Sequence, residues 1–425
     1  MGILQATTTQ NDLVLSFWVV SFVYFLFQTI KNNNRSILPY VFLGLSVGIG
    51  FLTKATMIFF IVSFCSLGVL HLLCKREFKK YLKGFVIVFS IALLFNVGHF
   101  YRNYDLGQHI LMPIPEVSKN VVNERFSFKG GLSNTMRNIL LHLNSPFEEI
   151  NNLIFSFSKK IHQWMDVDFD DARYTYGKIK DFTVKNHIHE DVSGNFYHFL
   201  FLFISFMAIF LSRKKYFNNF YFSFLFFGNL LAFFIFSFYL KWQPWGSRLQ
   251  LPFFMLAIAS VVLLFQDIKT RWRFIVNGII FFIVFSSSPY LLKNPAKRLI
   301  SAKKATVWNT SREDMYFVYH ERLRKKEYRK IVNYIKDSNC HEIGLFVGED
   351  DWEYPFFALF RKEQYPVHIE HVFVKNASYK YSDFLFSPCA VILKREISEI
   401  DRKKNEDFFK LKKYYSDYFE LYLKE

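Results

Sequence analysis

Eight long apolar runs constrain this chain more than any other feature. They cover residues 13–30, 36–53, 55–74, 84–100, 196–212, 219–240, 249–266 and 274–292. Runs of 17 to 22 residues are in the range that crosses about 30 Å of hydrocarbon as a helix. A helix is required there because no water is present to satisfy the backbone. The expected class is therefore a polytopic α-helical membrane protein with about eight transmembrane helices. Its chemistry belongs in the loops and at the helix ends.

The net charge of +17 suggests nucleic acid until its distribution is read. Lys31 and Arg35 follow the first run, and Lys75, Arg76, Lys79, Lys80 and Lys83 follow the third. Arg213, Lys214 and Lys215 follow the fifth, and Lys269, Arg271 and Arg273 follow the seventh. These cations occupy alternate short loops, whereas the other short connections hold Lys54, Lys241 and Arg248. That is the positive-inside pattern, not a nucleic-acid face. The cation-rich loops are expected in the cytoplasm. Asp12, Lys54, the loop 101–195, the turn 241–248 and the region 293–425 are then extracytoplasmic. Both termini fall outside, with about a dozen residues before the first span and no export signal. Further helices are expected upstream of Met1.

The chain divides into a transmembrane domain, 1–292, and a soluble extracytoplasmic α/β domain, 293–425. The large loop 101–195 has helical apolar spacing at Asn134–Asn144 and Pro146–Met165. Such helices lie on the membrane surface or pack against the bundle. In the C-terminal region, helices are expected at Lys325–Asn339 and Trp352–Lys362, and strands at Ile343–Val347, Val367–Phe373 and Cys389–Leu393. Helix–strand alternation indicates a small parallel or mixed sheet. The Lys-rich end from Arg402 reads as a solvated helix. Cys65 and Cys74 read as packing residues. Cys340 and Cys389 share an external domain where a disulfide is permitted, but spacing alone does not establish one. Gly44 and Gly48 form a GxxxG, a common helix-packing device.

Polar residues at span ends are the functional candidates, since such groups are costly at membrane depth. Asp12 opens the first span after Gln5-Ala6-Thr7-Thr8-Thr9-Gln10-Asn11. It suits a helix cap, with Asn11 and Thr9 as rivals, or a carboxylate that binds a divalent metal or orients a nucleophile near the outer leaflet. Lys54 is pinched between two apolar runs and needs an anion, a headgroup or water. Arg102 ends the fourth span, and Arg248 precedes the seventh; each suits a phosphate. Trp242 and Trp245 fit an aromatic belt. His189-Glu190-Asp191 contains metal-ligand types, but adjacent residues rarely aim at one ion. The acidic run Asp166, Asp168, Asp170, Asp171 lacks the Gly and Glu of a calcium loop. Asn376-Ala377-Ser378 is a sequon, weak by itself. No phosphate loop, GxSxG, HExxH or CxxC motif occurs.

QATTTQNDLVLSF (Gln5–Phe17), GLSVGIGFLTKAT (Gly44–Thr56), Tyr101-Arg102-Asn103 and WQPWGSRLQLP (Trp242–Pro252) together resemble the GT-C membrane glycosyltransferases. The nearest likeness is to bacterial relatives of the protein O-mannosyltransferases and of the aminoarabinose transferase acting on lipid A. The resemblance implies transfer of a sugar from a polyprenyl-phosphate donor to a lipid, glycan or protein acceptor outside the cytoplasmic membrane, usually with inversion. It implies that Asp12, Lys54, Arg102 and Arg248 bind the donor phosphate or its surroundings, and that Asp12 holds any divalent cation (Mg or Mn). The resemblance implies a catalytic base, an acidic residue in a first external loop, and here that loop would fall upstream of Met1. The alternatives are another lipid-carrier protein (an O-antigen ligase, polymerase or flippase) or a non-enzymatic membrane scaffold. No nucleic-acid partner is expected.

Overall fold

A computed structural model describes residues 1–32, 36–107, 109–111, 119–177, 183, 188–266, 268–301, 304–317, 321–348, 351–394, 412–415 and 418–424. Arg35 lies outside them. The chain separates into two compact units, Met1–Asn294 and Pro295–Glu425.

The first unit opens with a short helix α1 (Gly2–Gln5). Four apolar helices follow: α2 (Asp12–Asn32), α3 (Leu38–Thr53), α4 (Met57–Cys74) and α5 (Phe78–Gly107). The loop region contributes α6 (Phe128–Leu140) and α7 (Glu148–Met165). Then come α8 (Phe196–Leu211), α9 (Phe220–Tyr239), the single turn α10 (Gly246–Leu249), α11 (Leu251–Gln266) and α12 (Thr270–Ser286). Among the described residues, five segments, built on α2, α4, α5, α9 and α12, are long and apolar enough to cross a membrane. The other three apolar helices, α3, α8 and α11, have 16 residues each. At 1.5 Å per residue they reach about 24 Å, short of the full hydrocarbon thickness. The apolar runs overstate these helices because chain reversals consume their ends.

Helix α2 packs on α3 and α11, α3 on α5, and α4 on α9. Gly44 and Gly48 form the α3–α5 contact: an added Cβ at Gly44 would lie 2.9 Å from Ile91 Cβ, and one at Gly48 3.0 Å from Ala92 Cα. The small-residue stripe thus permits backbone approach. Asn96 Nδ2 donates across this contact to Gly48 O (2.9 Å), and Asn229 Nδ2 donates to Phe253 O (3.0 Å) between α9 and α11. Leu94, Leu211, Phe274 and Phe281 are exposed on the outer faces. Outward apolar faces with inward polar contacts suit hydrocarbon as the solvent.

The loop region is fastened to the helix ends. Arg137 on α6 is fully buried. It donates to Phe169 O (2.5 Å), Thr175 Oγ1 (2.8 Å), Tyr174 O (3.1 Å) and Asn134 Oδ1, and its guanidinium lies over the Trp242 ring. Burial lowers its pKa to about 9, while Asp170, Asp171 and Asp168 favour the charged form. The acidic run is therefore electrostatically coupled to this buried cation. Trp242 is buried under the loop, which corrects its assignment to an aromatic belt: a belt residue faces lipid headgroups, and this one packs on Arg137. Helix α7 buries Asn151, Ser158, His162 and Met165, and exposes Ile150, Leu153, Phe157 and Trp164 on the opposite stripe.

The second unit is a five-stranded mixed sheet. Its two longer helices among the described residues are α13 (Glu321–Asp337) and α14 (Tyr354–Lys362), preceded by a single turn at Arg312–Met315. Its strands are β1 (Glu342–Phe346), β2 (His368–His371), β3 (Ala390–Lys394), β4 (Lys412–Tyr415) and β5 (Phe419–Leu423), in the order β2-β1-β3-β5-β4. Strand β1 is parallel to β2 and β3, and β5 is antiparallel to β3 and β4. Tyr328, Ile331 and Ile335 of α13 and Phe356 and Phe360 of α14 join one core with Ile343, Leu345 and Ile392. Cys340 and Cys389, which precede β1 and β3, form a disulfide. The solvated helix expected from Arg402 is corrected: residues 402–411 lie outside the described set, and 412–415 and 419–423 pair as strands. Lysine density suggested a helix there, but the period-two apolar set Phe419, Leu421, Leu423 enters the core.

Candidate functional site at the helix ends

Asp12 stands at the first helical position of α2, with its side chain 1% exposed. Its carboxylate does not cap the helix. Oδ1 accepts from Lys54 Nζ, and Oδ2 lies 3.9 Å from Arg248 Nε. Lys54 is the residue on which α3 ends, and Asn11 Nδ2 donates to Thr53 O (2.6 Å), which clips the start of α2 to the end of α3. Arg248 comes from α10. Three segments far apart in sequence therefore bring Asp12, Lys54 and Arg248 to one point.

Arg248 reaches this point because its turn is braced on two sides. On one, Tyr176 N donates to Trp242 O (2.9 Å), Trp242 N to Tyr174 O (2.8 Å) and Lys241 N to Val121 O (2.9 Å). Lys241 Nζ pairs with Glu124 (2.6 Å) and donates to Ala172 O (2.7 Å). On the other, His142 Nε2 and Gln250 Oε1 are 3.0 Å apart, and Gln250 Nε2 donates to Asn138 Oδ1 (3.2 Å). Burial lowers the His142 pKa to about 3, so the imidazole is neutral near pH 7. Its Nε2–H then donates to Gln250.

Asp191 completes the cluster. Its Oδ1 accepts from Arg248 Nη1 (2.5 Å) and from Gln10 Nε2 (2.8 Å). Beside it, Gln5 Nε2 donates to Glu190 O (2.7 Å). The charges alternate: Lys54, Asp12, Arg248, Asp191. Burial holds the Lys54 ammonium below the usual lysine range, Asp12 raises it, and Arg248 lowers it. Gln5 Oε1, Gln10 Oε1, Asp12 Oδ2, Glu190 Oε2 and Arg248 Nε are buried without a hydrogen-bond partner among the described residues. Buried polar atoms are normally satisfied, so this concentration of exceptions marks a place prepared for polar groups.

Arg102 does not join. It lies exposed on α5 and makes no hydrogen bond or ion pair with another described residue. A divalent cation does not fit at Asp12, because its two oxygens face Lys54 and Arg248. No group of three or more His, Cys, Asp or Glu side chains able to hold a metal occurs among the described residues. Sequence reasoning weighed His189-Glu190-Asp191 only as metal ligands, discounted them because adjacent residues rarely aim at one ion, and so missed Asp191 as an ion-pair partner. The signal available was the carboxylate itself, just before an apolar run and on the side expected to hold the isolated cations Lys54 and Arg248.

Residues 1–97 match the family model described as dolichyl-phosphate-mannose-protein mannosyltransferase. This supports a GT-C-like membrane glycosyltransferase of the mannosyltransferase type. The match covers 97 of 425 residues; it includes Asp12 and Lys54 and ends before Asp191 and Arg248. No curated protein and no solved structure matches the chain.

Proposed function

We propose that the chain is a membrane glycosyltransferase, or the larger part of one, that transfers a sugar from a polyprenyl-phosphate donor to an acceptor outside the cytoplasmic membrane. The observation that carries this reading is the unspent donor capacity of Lys54 and Arg248. Lys54 uses one ammonium hydrogen on Asp12. Arg248 uses Nη1 on Asp191, and its Nη2 has no acceptor among the described residues. Two cations held by a shared carboxylate, each with N–H groups to offer, suit a phosphate. They also suit the charge that develops on that phosphate as the glycosyl bond breaks. Asp12 holds the Lys54 ammonium and Asp191 holds the Arg248 guanidinium in advance, so little reorganisation is needed on binding.

The surroundings agree with a lipid-linked substrate, which has to react at the membrane boundary. With the apolar helices taken as about eight spans of the cytoplasmic membrane, the cluster lies at a membrane boundary, since it forms where α2 starts, α3 ends and the turn α10 leads into α11. The exposed stripe of α7, with Trp164 beside Lys159 and Lys160, suits a position in the interface. The Cys340–Cys389 disulfide suits an oxidising compartment for the second unit.

The test is binding of polyprenyl phosphate to the detergent-solubilised chain, compared with Lys54→Ala and Arg248→Ala. Each variant is expected to bind at least about tenfold more weakly, the effect of losing one charge-assisted contact of about 1.5–3 kcal/mol. Equal binding by all three proteins refutes the reading.

A further inference from the structure

We propose that the second unit carries a saccharide-binding site at the carboxyl ends of β1 and β2, independent of the transfer reaction. The sheet order puts β1 between β2 and β3, and both neighbours run parallel to it. The chain leaves β1 on one side, through α14 to β2, and then crosses to the other side for β3. In an open α/β sheet such a reversal leaves a crevice beyond the carboxyl ends of the strands, and ligands bind there. A cavity of about 530 Å³ lies at this end of β1 and β2, a size usual for small-molecule sites.

The walls are apolar: Phe346, Val347, Val372, Phe373 and Val374. Phe373 has a φ of 58°. A bulky side chain rarely adopts that conformation, and such residues collect at ligand sites. Its ring stands against that of Phe346, with centroids 5.4 Å apart and planes at 73°.

The polar groups of the lining select the ligand. His371 Nε2 is 3.1 Å from Glu353 Oε2, so Nε2 carries the hydrogen, and Nδ1 of the neutral imidazole accepts. Asn376 Oδ1 accepts from Ser378 N (3.0 Å), which leaves the Nδ2 amide to donate. Ser378 Oγ can do both. His371 Nδ1, Asn376 Nδ2 and Ser378 Oγ have no hydrogen-bond partner among the described residues. A carboxylate or phosphate only accepts, and it would leave the imidazole nitrogen unpaired. Hydroxyl groups donate and accept, so a ring bearing several of them answers all three positions. The C–H face of a pyranose suits the apolar wall. The ammonium of Lys375 lies over the Phe346 ring, 5.4 Å from its centroid, so this cation is engaged with the wall.

The test uses the full chain in a detergent without a sugar headgroup. The probes are the methyl α-glycosides of glucose, mannose, galactose and N-acetylglucosamine, with glycerol phosphate and hexanoate for comparison. At least one glycoside is expected to bind with a Kd of about 1–10 mM by calorimetry, and to slow amide hydrogen exchange at 346–348 and 371–378. Phe373→Gly suits the positive φ and removes the wall; it is expected to weaken that glycoside at least about tenfold. Ser378→Ala, at an exposed position, is expected to weaken it about threefold to tenfold, the loss of one neutral hydrogen bond. Lys375→Met is expected to weaken it less than either. No glycoside binding at about 100 mM overturns the proposal, as does parent-like binding by Phe373→Gly or Ser378→Ala. Protection of the same amides by glycerol phosphate or hexanoate and by no glycoside, or a loss in Lys375→Met larger than in the other two variants, also overturns it and makes the cavity a site for an organic anion. None of these readouts requires sugar transfer, so their failure leaves the transferase reading standing.

Discussion

Replacing Asp12 by Asn tests whether the cluster at the helix ends is a coupled charge system. The side chain keeps its shape and loses its charge, leaving Lys54 and Arg248 side by side, 22% and 23% exposed, without their shared anion. At an effective dielectric of about 20, the Asp12–Arg248 attraction across 3.9 Å is about 4 kcal/mol, and the closer Lys54 contact is larger. Desolvation of the ions offsets much of both, so the measurable quantity is the cost of breaking the set, about 3–5 kcal/mol. At about 2–4 °C per kcal/mol for a unit of this size, Asp12→Asn is expected to lower the melting temperature by about 6 °C or more. Adding Lys54→Met, which fills the same space without charge, is expected to return more than half of that loss. The assay is thermal unfolding of the four proteins of the cycle in one detergent, followed by tryptophan fluorescence. A single variant as stable as the parent, or a double variant no more stable than Asp12→Asn, refutes the coupling. The double variant is also expected to bind polyprenyl phosphate poorly despite its recovered stability, which separates holding the fold from holding the ligand.

Three further outcomes follow from the same geometry. Gly44→Leu is expected to destabilise the first unit by about 1–3 kcal/mol through overpacking against Ile91 and Val88, whereas Gly98→Ala, with nothing within 4 Å of an added Cβ, is expected to be neutral or slightly stabilising in the same melt. Reducing Cys340–Cys389, which are 49 residues apart, is expected to lower the stability of the second unit by about 2–4 kcal/mol, close to the loop-entropy limit, read by hydrogen exchange in β1 and β3. Glu313 supplies a pH dependence: burial raises its pKa, but hydrogen bonds from Lys362, Arg329 and Lys325 prevail and lower it from 4.5 to about 2. Its contribution is therefore fully present above pH about 4.5 and is lost as the pH falls toward about 2. Because Arg329 and Lys362 are half-exposed, solvent screening reduces the effect to about 1–2 kcal/mol; hydrogen exchange of α13 and α14 across that window measures it, and Glu313→Gln should abolish the dependence.

Parts of the site were legible because they follow from local composition. Asp12 and Lys54 are charges at the ends of apolar runs, and Arg248 is an isolated cation on the cation-poor side. Each stands out without knowledge of its neighbours. Arg102 fits the same description, yet its side chain is exposed on α5 and makes no ion pair with Asp12 or Asp191. Asp191 was hidden by its setting, since a His-Glu-Asp run suggests a ligand set and its partner lies 57 residues away. Trp242 misled for the opposite reason: a tryptophan at a span end usually faces headgroups, and only the folded loop 119–177 shows it buried. The C-terminal hairpin was obscured by lysines, which mark exposure but do not choose between helix and strand.

The sequence by itself determined which segments are apolar helices and which side of them is rich in cations. Both properties are sums over local windows, and hydrocarbon burial and charge act on each segment separately. Tertiary structure decided which of the scattered charges meet. That depends on which helix lies against which, through contacts such as Gly44 on Ile91 and bonds such as Asn11 to Thr53, and no property of a single segment encodes it.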